Sequence, residues 1–301
     1  MNQIPHTAMR VSPVTLGTMT YGSPVPFERA VELTRYAVSR GINHIDTANM
    51  YEGYRRVAGS TGGVAEEIVG EALRALPRDQ VIVSTKAGMK VGSSPEDEGT
   101  SAAAIHTQLD RSLRRMGLDY VDLFYLHRPD ESVRPEEMLR ALQEELDGGR
   151  IRGYGVSNYS APQLRGLLEA ADRLALPRPV VCQPPLSLLR QEALDELLPL
   201  CAREEIAVIP YQIYQGGLLT GKYRRGSAPP EGSRASEKPG WMMEMDDALY
   251  TRLEEVEARA AAEGVAMAQY ALRWVLRQSG VVSAIVGVKN ERQIDDALAA
   301  L

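Results

Sequence analysis

Residues 81–86 read VIVSTK. The run suits a strand covered on both faces, yet it ends in a lysine. Seven further runs have the same short, apolar character: VTLGTM (14–19), NHIDT (43–47), VDLFYLH (121–127), IRGYGVS (151–157), VVCQ (180–183), IAVIPY (206–211) and VSAIVG (282–287). Between them lie stretches with helical spacing, such as FERAVELTRYAVSRG, SAAAIHTQLDRSLRRMG and PEEMLRALQEELDGG. Gly41, Gly117 and Gly148 supply C-terminal stops, and Ser160 stands as an N-cap before APQL. Eight strands alternating with helices predict an α/β fold, a (β/α)8 TIM barrel rather than an open doubly wound sheet. No G-x-G-x-x-G follows the first strand, and no Walker-type loop is present. The 301 residues suit one such barrel, commonly about 250 residues long. No repeat or linker divides the chain, so residues 1–301 read as a single domain.

Three long connections follow strands: 52–63 (EGYRRVAGSTGG), 87–100 (AGMKVGSSPEDEGT) and 212–245. All three are expected at the C-terminal face of the barrel, where barrel sites are built. GSTGG (59–63) has no strand leading into it and reads as a flexible loop; 265–280 reads as a helix before the last strand.

Hydrophobic content of 44% and charged content of 25% are those of an ordinary globular chain. The net charge of −6 argues against nucleic-acid and membrane-surface partners. Cys182 and Cys201 suggest no disulfide framework. MNQIPHTAMR lacks a signal-peptide pattern, and no apolar run is long enough to span a bilayer, so a cytoplasmic location is expected. No metal is called for, and nothing in the sequence fixes an oligomeric state.

Asp46, Lys86, His127, Ser157, Asn158, Gln183 and Tyr211 all fall at or just past the downstream end of a strand-like run. In a barrel those ends converge on one mouth. Singly each has an ordinary explanation, such as a turn aspartate or a structural histidine. Lys86 is the least ordinary, because a buried charge needs a partner. Asp46 supplies one, and the ammonium in turn stabilises tyrosinate at Tyr51, which is expected to lower the phenol's pKa. Tyr51 then protonates a carbonyl oxygen, and His127 orients that oxygen.

The sequence resembles the aldo-keto reductases over nearly its whole length. The residues that carry the resemblance are LGTMTYG (16–22), GINHIDTANMY (41–51), AEEIVGEAL (65–73), STKAG (84–88), LDRSLRRMGLDYVDLFYLHRPD (109–130), GRIRGYGVSNYS (149–160), GGLLTGKY (216–223) and IVGVKNERQIDDAL (285–298). The resemblance implies a TIM barrel that binds NADP(H) without a Rossmann domain and reduces aldehydes and ketones to alcohols. Asp46, Tyr51, Lys86 and His127 match the catalytic tetrad. By the same resemblance Thr18 and Met19 lie beside the cofactor, Ser157, Asn158 and Gln183 hold the nicotinamide carboxamide, and Tyr211 stacks on the ring. Gly217, Leu218 and Lys222 match the pyrophosphate loop, Arg234 and Lys289 the 2′-phosphate site, and Gln293 and Asp296 the adenosine end. Gly287, in the last strand motif, joins the cofactor set.

The chain departs from the family pattern at Gln212-Ile213-Tyr214, where Ser-Pro-Leu is usual; Gln212 and Tyr214 thereby enter the cofactor wall. Asp296 stands in place of Glu, Ala297 in place of Asn, and the 52–63 connection is long. A small-molecule carbonyl substrate is expected to meet Tyr21, Tyr54, Met89, Arg128, Tyr214 and Trp241. Arg128 either meets the substrate or pairs with Asp130, and Arg55 and Arg56 either reach the mouth or are solvated. Two other functions fit the same residues: a Schiff-base aldolase using Lys86, and a slow-turnover NADPH-binding regulatory subunit.

Overall fold

A computed structural model describes residues 1–57 and 59–301; Ala58, in the 52–63 connection, lies outside the described residues. The chain opens with an antiparallel ribbon of β1 (Asn2–Gln3) and β2 (Arg10–Val11). Eight parallel strands follow: β3 (Val14–Gly17), β4 (His44–Asp46), β5 (Ile82–Ala87), β6 (Leu123–Leu126), β7 (Tyr154–Ser157), β8 (Val181–Gln183), β9 (Ala207–Val208) and β10 (Ala284–Gly287). Each coincides with one of the eight apolar runs of the sequence, β5 ending one residue past its run. Their order is β10-β3-β4-β5-β6-β7-β8-β9. A parallel bridge between Val208 and Val281, with the Ile285 amide donating to the Pro210 carbonyl at 2.9 Å, joins the last strands. The sheet is thus a (β/α)8 barrel.

Helices α1 (Phe27–Ser39), α2 (Val64–Leu73), α3 (Ala102–Met116), α4 (Pro135–Asp147), α5 (Ala161–Leu174) and α6 (Leu197–Arg203) separate successive strands. Ser160 caps α5 as expected, accepting from the Gln163 amide at 3.4 Å, and Gly117 ends α3 in the left-handed region. Between β9 and β10 come a short α7 (Arg234–Glu237), then α8 (Asp247–Ala262) and α9 (Met267–Leu276); α10 (Glu291–Leu298) closes the chain.

Alternate strand residues face opposite ways. Leu16, Ile45, Val83, Phe124, Val156 and Val286 pack in the main core with residues of the surrounding helices. Ile82, Leu123, Tyr125, Val181 and Ala207 form a separate cluster with Ile4, Met9 and Val11 of the N-terminal ribbon. The ribbon therefore plugs the barrel's lower end. Gly155 is needed on this inner face, because a Cβ there would lie 2.6 Å from the Tyr125 ring.

The glycine-rich 59–63 segment is more fixed than its composition suggests. The Gly63 amide donates to the Asn49 carbonyl at 2.7 Å, and a Cβ on Gly62 would lie 2.0 Å from that oxygen. Both glycines have positive φ, so the segment is a tight turn into α2 rather than a loose loop. Among the described residues no helix is long and apolar enough to cross a membrane.

Candidate active site

Strand register builds the centre of the site. Asp46 and Ser84 are partners across β4 and β5, and Lys86 lies two residues further on the same face. The Lys86 side chain is fully buried. Its ammonium forms an ion pair with Asp46, donates to the Thr47 carbonyl at 2.8 Å and reaches the Tyr51 hydroxyl at 3.3 Å. The second Asp46 oxygen accepts from Ser84 Oγ at 2.8 Å and Gln183 Nε2 at 3.1 Å. Burial disfavours the ammonium, but Asp46 and Tyr51 outweigh it and raise the Lys86 pKa above its usual value.

Tyr51 corrects a sequence expectation. Burial is the largest influence on its hydroxyl and pushes its pKa up; Lys86 pulls it down without winning, and Asp46 adds to the rise. The phenol therefore keeps its proton at neutral pH. The effect of Lys86 is to reduce the cost of tyrosinate rather than to make it the resting form.

His127 stands edge-on to Tyr51, ring centroids 5.9 Å apart. Burial first, then Lys86, Arg56 and Arg128, hold its pKa well below the usual histidine value, so the ring is neutral at physiological pH. Its Nδ1 is buried with no hydrogen-bond partner among the described residues. Tyr51, Lys86, Asp46 and His127 thus form one cluster at the barrel's upper end, as their strand-end positions predict.

Several expected cofactor residues surround this cluster. The Thr18 amide and hydroxyl both donate to the Asp46 carbonyl, at 3.1 and 3.0 Å, and half-buried Met19 follows it. Asn158 has φ of +63°, which turns its side chain so that Nδ2 donates to the His127 carbonyl at 2.8 Å. Its Oδ1 accepts from the Tyr211 hydroxyl at 2.5 Å, and Ser157 Oγ donates to the Gln183 carbonyl at 3.0 Å. Gln212 is exposed at φ of +58°, while Tyr214 packs between the main core and a second cluster that includes Leu218.

Further out, Lys222, Arg234 and Lys289 gather. Partial burial, then Lys289 and Arg234, lower the Lys222 pKa. A Cβ on Gly217, at φ of +94°, would sit 2.7 Å from Lys222 Nζ. Lys289 donates to the Gly232 carbonyl at 2.7 Å and pairs with Glu237 at 2.9 Å. Gly287 is exposed at the end of β10, Gln293 accepts from the Lys289 amide at 2.7 Å, and exposed Asp296 approaches Arg292 at 3.7 Å.

The expected substrate wall needs three corrections. Tyr21 is fully buried and its hydroxyl meets Thr34 of α1 at 2.9 Å, so it is a core residue rather than a lining one. Tyr54 and Trp241 pack edge-on at 5.5 Å, with Lys289 and Arg234 over the Tyr54 ring at 5.2 and 5.9 Å. They join the 52–63 and 212–245 connections beside the cationic group. Arg128 pairs with Glu98 at 2.6 Å, not with Asp130, whose carboxylate is taken by the Thr100 amide and Ser132. Met89 is half-buried beside the mouth. Arg56 donates to the Met50 and Lys90 carbonyls, at 2.9 and 2.5 Å, and so staples two mouth loops.

A model described as the aldo/keto reductase family matches residues 13–301. The chain belongs to the aldo/keto reductase family. Carbonyl reduction by an oxidoreductase is the activity that this membership supports. The chain is 33% identical to a protein of Oryza sativa subsp. japonica named probable voltage-gated potassium channel subunit beta, over 98% of this chain and 89% of that one. It is also 33% identical to the L-glyceraldehyde 3-phosphate reductase of Escherichia coli O157:H7, over 98% of this chain and 85% of that one. Among solved structures, a glycerol dehydrogenase from Gluconobacter oxydans superposes with a TM-score of 0.80 at 30% identity, covering 98% of this chain and 88% of that one.

Sequence reading passed over His44 and Ser84. His44 precedes Asp46 by two residues, and Ser84 precedes Lys86 by two. In a strand that spacing puts each on the same face as its charged neighbour, and this was the available signal.

Proposed function

We propose that this aldo/keto reductase reduces an aldehyde or ketone to an alcohol with NADPH, using Tyr51 as proton donor, Lys86 and Asp46 to support it, and His127 to orient the substrate oxygen. One observation carries the reading: a fully buried ammonium, shared between a carboxylate and a phenol, beside a neutral imidazole. Reduced nicotinamide supplies the hydride when bound. As the carbonyl oxygen gains charge, Tyr51 gives it a proton, and Lys86 stabilises the tyrosinate left behind. Asp46 keeps Lys86 charged inside the barrel, since the ammonium alone would be driven to neutrality. His127, neutral and with a ring nitrogen that has no hydrogen-bond partner among the described residues, gives one N–H to the same oxygen and fixes its direction.

The residues present fit a phosphorylated dinucleotide. Partial burial first, and then the nearby Lys289 and Arg234, disfavour positive charge at Lys222, and a bound anion would offset both. The Lys222 side chain lies against Gly217, where a Cβ would crowd its ammonium. Gln293 and Asp296 would hold the adenosine end, with Thr18, Met19, Gly287, Gln212, Tyr214 and Leu218 along the cofactor wall. Ser157, Asn158, Gln183 and Tyr211 would hold the nicotinamide end. The 2′-phosphate is the reason for preferring NADPH to NADH. Met89 and Arg128 remain the substrate-side residues. The names of the Escherichia coli and Gluconobacter relatives make phosphorylated and polyhydroxy carbonyl compounds the first to try.

An aldolase mechanism fits less well, because a Schiff-base lysine must be neutral to attack and Asp46 holds Lys86 charged. The rice relative's name keeps a slow regulatory role as the second reading. NADPH consumption across a panel of aldehydes, ketones and sugars, with wild type and Tyr51→Phe side by side, tests the proposal. Tyr51→Phe should lower turnover about 100-fold or more. Equal rates would remove Tyr51 as the acid, and oxidation limited to one slow turnover would favour the regulatory role.

A further inference from the structure

A continuous line of hydrogen bonds runs from the floor of the barrel to the proposed acid. Ser283 Oγ meets Thr15 Oγ1 at 2.7 Å, and Thr15 Oγ1 meets His44 Nδ1 at 2.9 Å. His44 Nε2 meets Ser84 Oγ at 3.0 Å, and Ser84 Oγ donates to Asp46 Oδ1 at 2.8 Å. The other Asp46 oxygen carries the Lys86 ion pair, and Lys86 reaches Tyr51. Ser283, Thr15, His44 and Ser84 are each fully buried.

The direction of every proton in this line follows from donor arithmetic. A carboxylate only accepts, so Ser84 spends its single proton on Asp46. Ser84 Oγ must then accept from His44, which places the imidazole proton on Nε2. His44 Nδ1 is left as an acceptor, so Thr15 donates to it. Thr15 Oγ1 in turn accepts from Ser283. All four hydroxyl and imidazole dipoles therefore point toward Asp46, and aligned bonds of this kind strengthen one another in a low-dielectric interior.

We propose that His44, as the neutral Nε2–H tautomer, is a positioning residue that orients the Asp46 carboxylate through Ser84 and so holds the Lys86 ammonium against Tyr51. The catalytic consequence rests on the proposed reductase reading; the tautomer does not. Three charged groups bear on His44: Asp46 and Asp122 favour its protonation, and Lys86 opposes it. Burial, helped by Lys86, outweighs the two carboxylates and brings the pKa to about 4, so the neutral ring persists across the physiological range. A structural histidine would need only to be satisfied; this one is satisfied in a single orientation that ends on a charge.

The test has two arms, both on the full chain. The chain has four histidines, so ring nitrogen-15 spectra of histidine-labelled protein can be assigned by comparison with His44→Gln. The ring so assigned to His44 should remain neutral, with its proton on Nε2, from pH 8 down to pH 5. An Nδ1–H tautomer, or a ring that charges near its ordinary pKa, overturns the proposal. The second arm is kinetic. Ser84→Ala and His44→Leu should lower kcat about 10-fold with KM for the carbonyl little changed. His44→Gln, whose amide can still donate to Ser84, should recover most of that loss and shows that the site tolerates replacement. Wild-type kcat in folded Ser84→Ala and His44→Leu, or no difference between Gln and Leu at position 44, overturns the positioning role. A wild type inactive on every carbonyl removes the reductase reading, and the ring tautomer then decides the proposal alone.

Discussion

On one side of the barrel interior the inward residues are Thr15, His44, Asp46, Ser84 and Lys86; on the other they are Leu123, Tyr125, Val181 and Ala207. The backbone is the same kind of parallel strand in both. The polar side confines charge to one ion pair and satisfies it with partners on every hand. The apolar side supplies burial and joins the N-terminal ribbon in closing the floor. The contrast teaches that this barrel separates the work of holding itself together from the work of holding a charge.

Breaking the polar side should cost most. Lys86→Met leaves Asp46 buried without its counter-ion, and denaturant unfolding should show a loss of about 3–5 kcal/mol. Turnover of the folded fraction should fall about 100-fold or more. A Lys86→Met chain as stable as wild type would mean that Asp46 can be satisfied by Ser84 and Gln183 alone.

Acidification attacks the same side through His44. Its pKa is about 4 when folded, below the ordinary value of 6.5. As pH falls from 6.5 toward 4 the unfolded chain takes up a proton that the folded chain refuses, so stability is lost with falling pH. The full effect is about 3 kcal/mol. His44→Gln lacks this proton, so urea titrations of the two chains should diverge over that window, wild type losing more. Parallel curves would place the His44 pKa near its ordinary value.

The apolar side should respond differently. Val181→Ala removes buried methyl groups from the apolar cluster and should cost about 2 kcal/mol of stability. Its kcat should stay at the wild-type value, which steady-state assays can check; a falling kcat would show that the two sides are coupled. The smallest effect should come from Tyr125→Phe. The Tyr125 hydroxyl is buried with no well-formed hydrogen bond among the described residues and only the Gln183 side chain close enough to donate to it, so thermal unfolding should show a change within about 1 kcal/mol. A clear loss would mean that the hydroxyl has a partner after all.

Much of this contrast was readable before any coordinates. Short apolar runs alternating with helical stretches located all eight barrel strands, and the strand ends located Asp46, Lys86 and His127. What was not readable depends on neighbours far apart in sequence. Tyr21 looked like a wall residue because its motif lies near a strand end, but α1 covers it. Tyr54 and Trp241 are aromatic residues on long connections, and only the packing of 52–63 against 212–245 sets them beside Lys289 and Arg234. The Tyr51 pKa direction needed the balance between burial and one ammonium, which composition cannot supply. His44 was hidden for another reason: a polar residue beside an aspartate looks unremarkable until the β4–β5 register brings Ser84 between them.

Single-turnover hydride transfer from prebound NADPH to an aldehyde, in wild type and Tyr51→Phe, tests the central claim most directly. Both chains should bind the cofactor with similar affinity, and removal of the hydroxyl should slow the transfer about 100-fold or more. Equal transfer rates with equal cofactor binding would contradict it, because the proton would then be coming from somewhere other than the phenol beside Lys86.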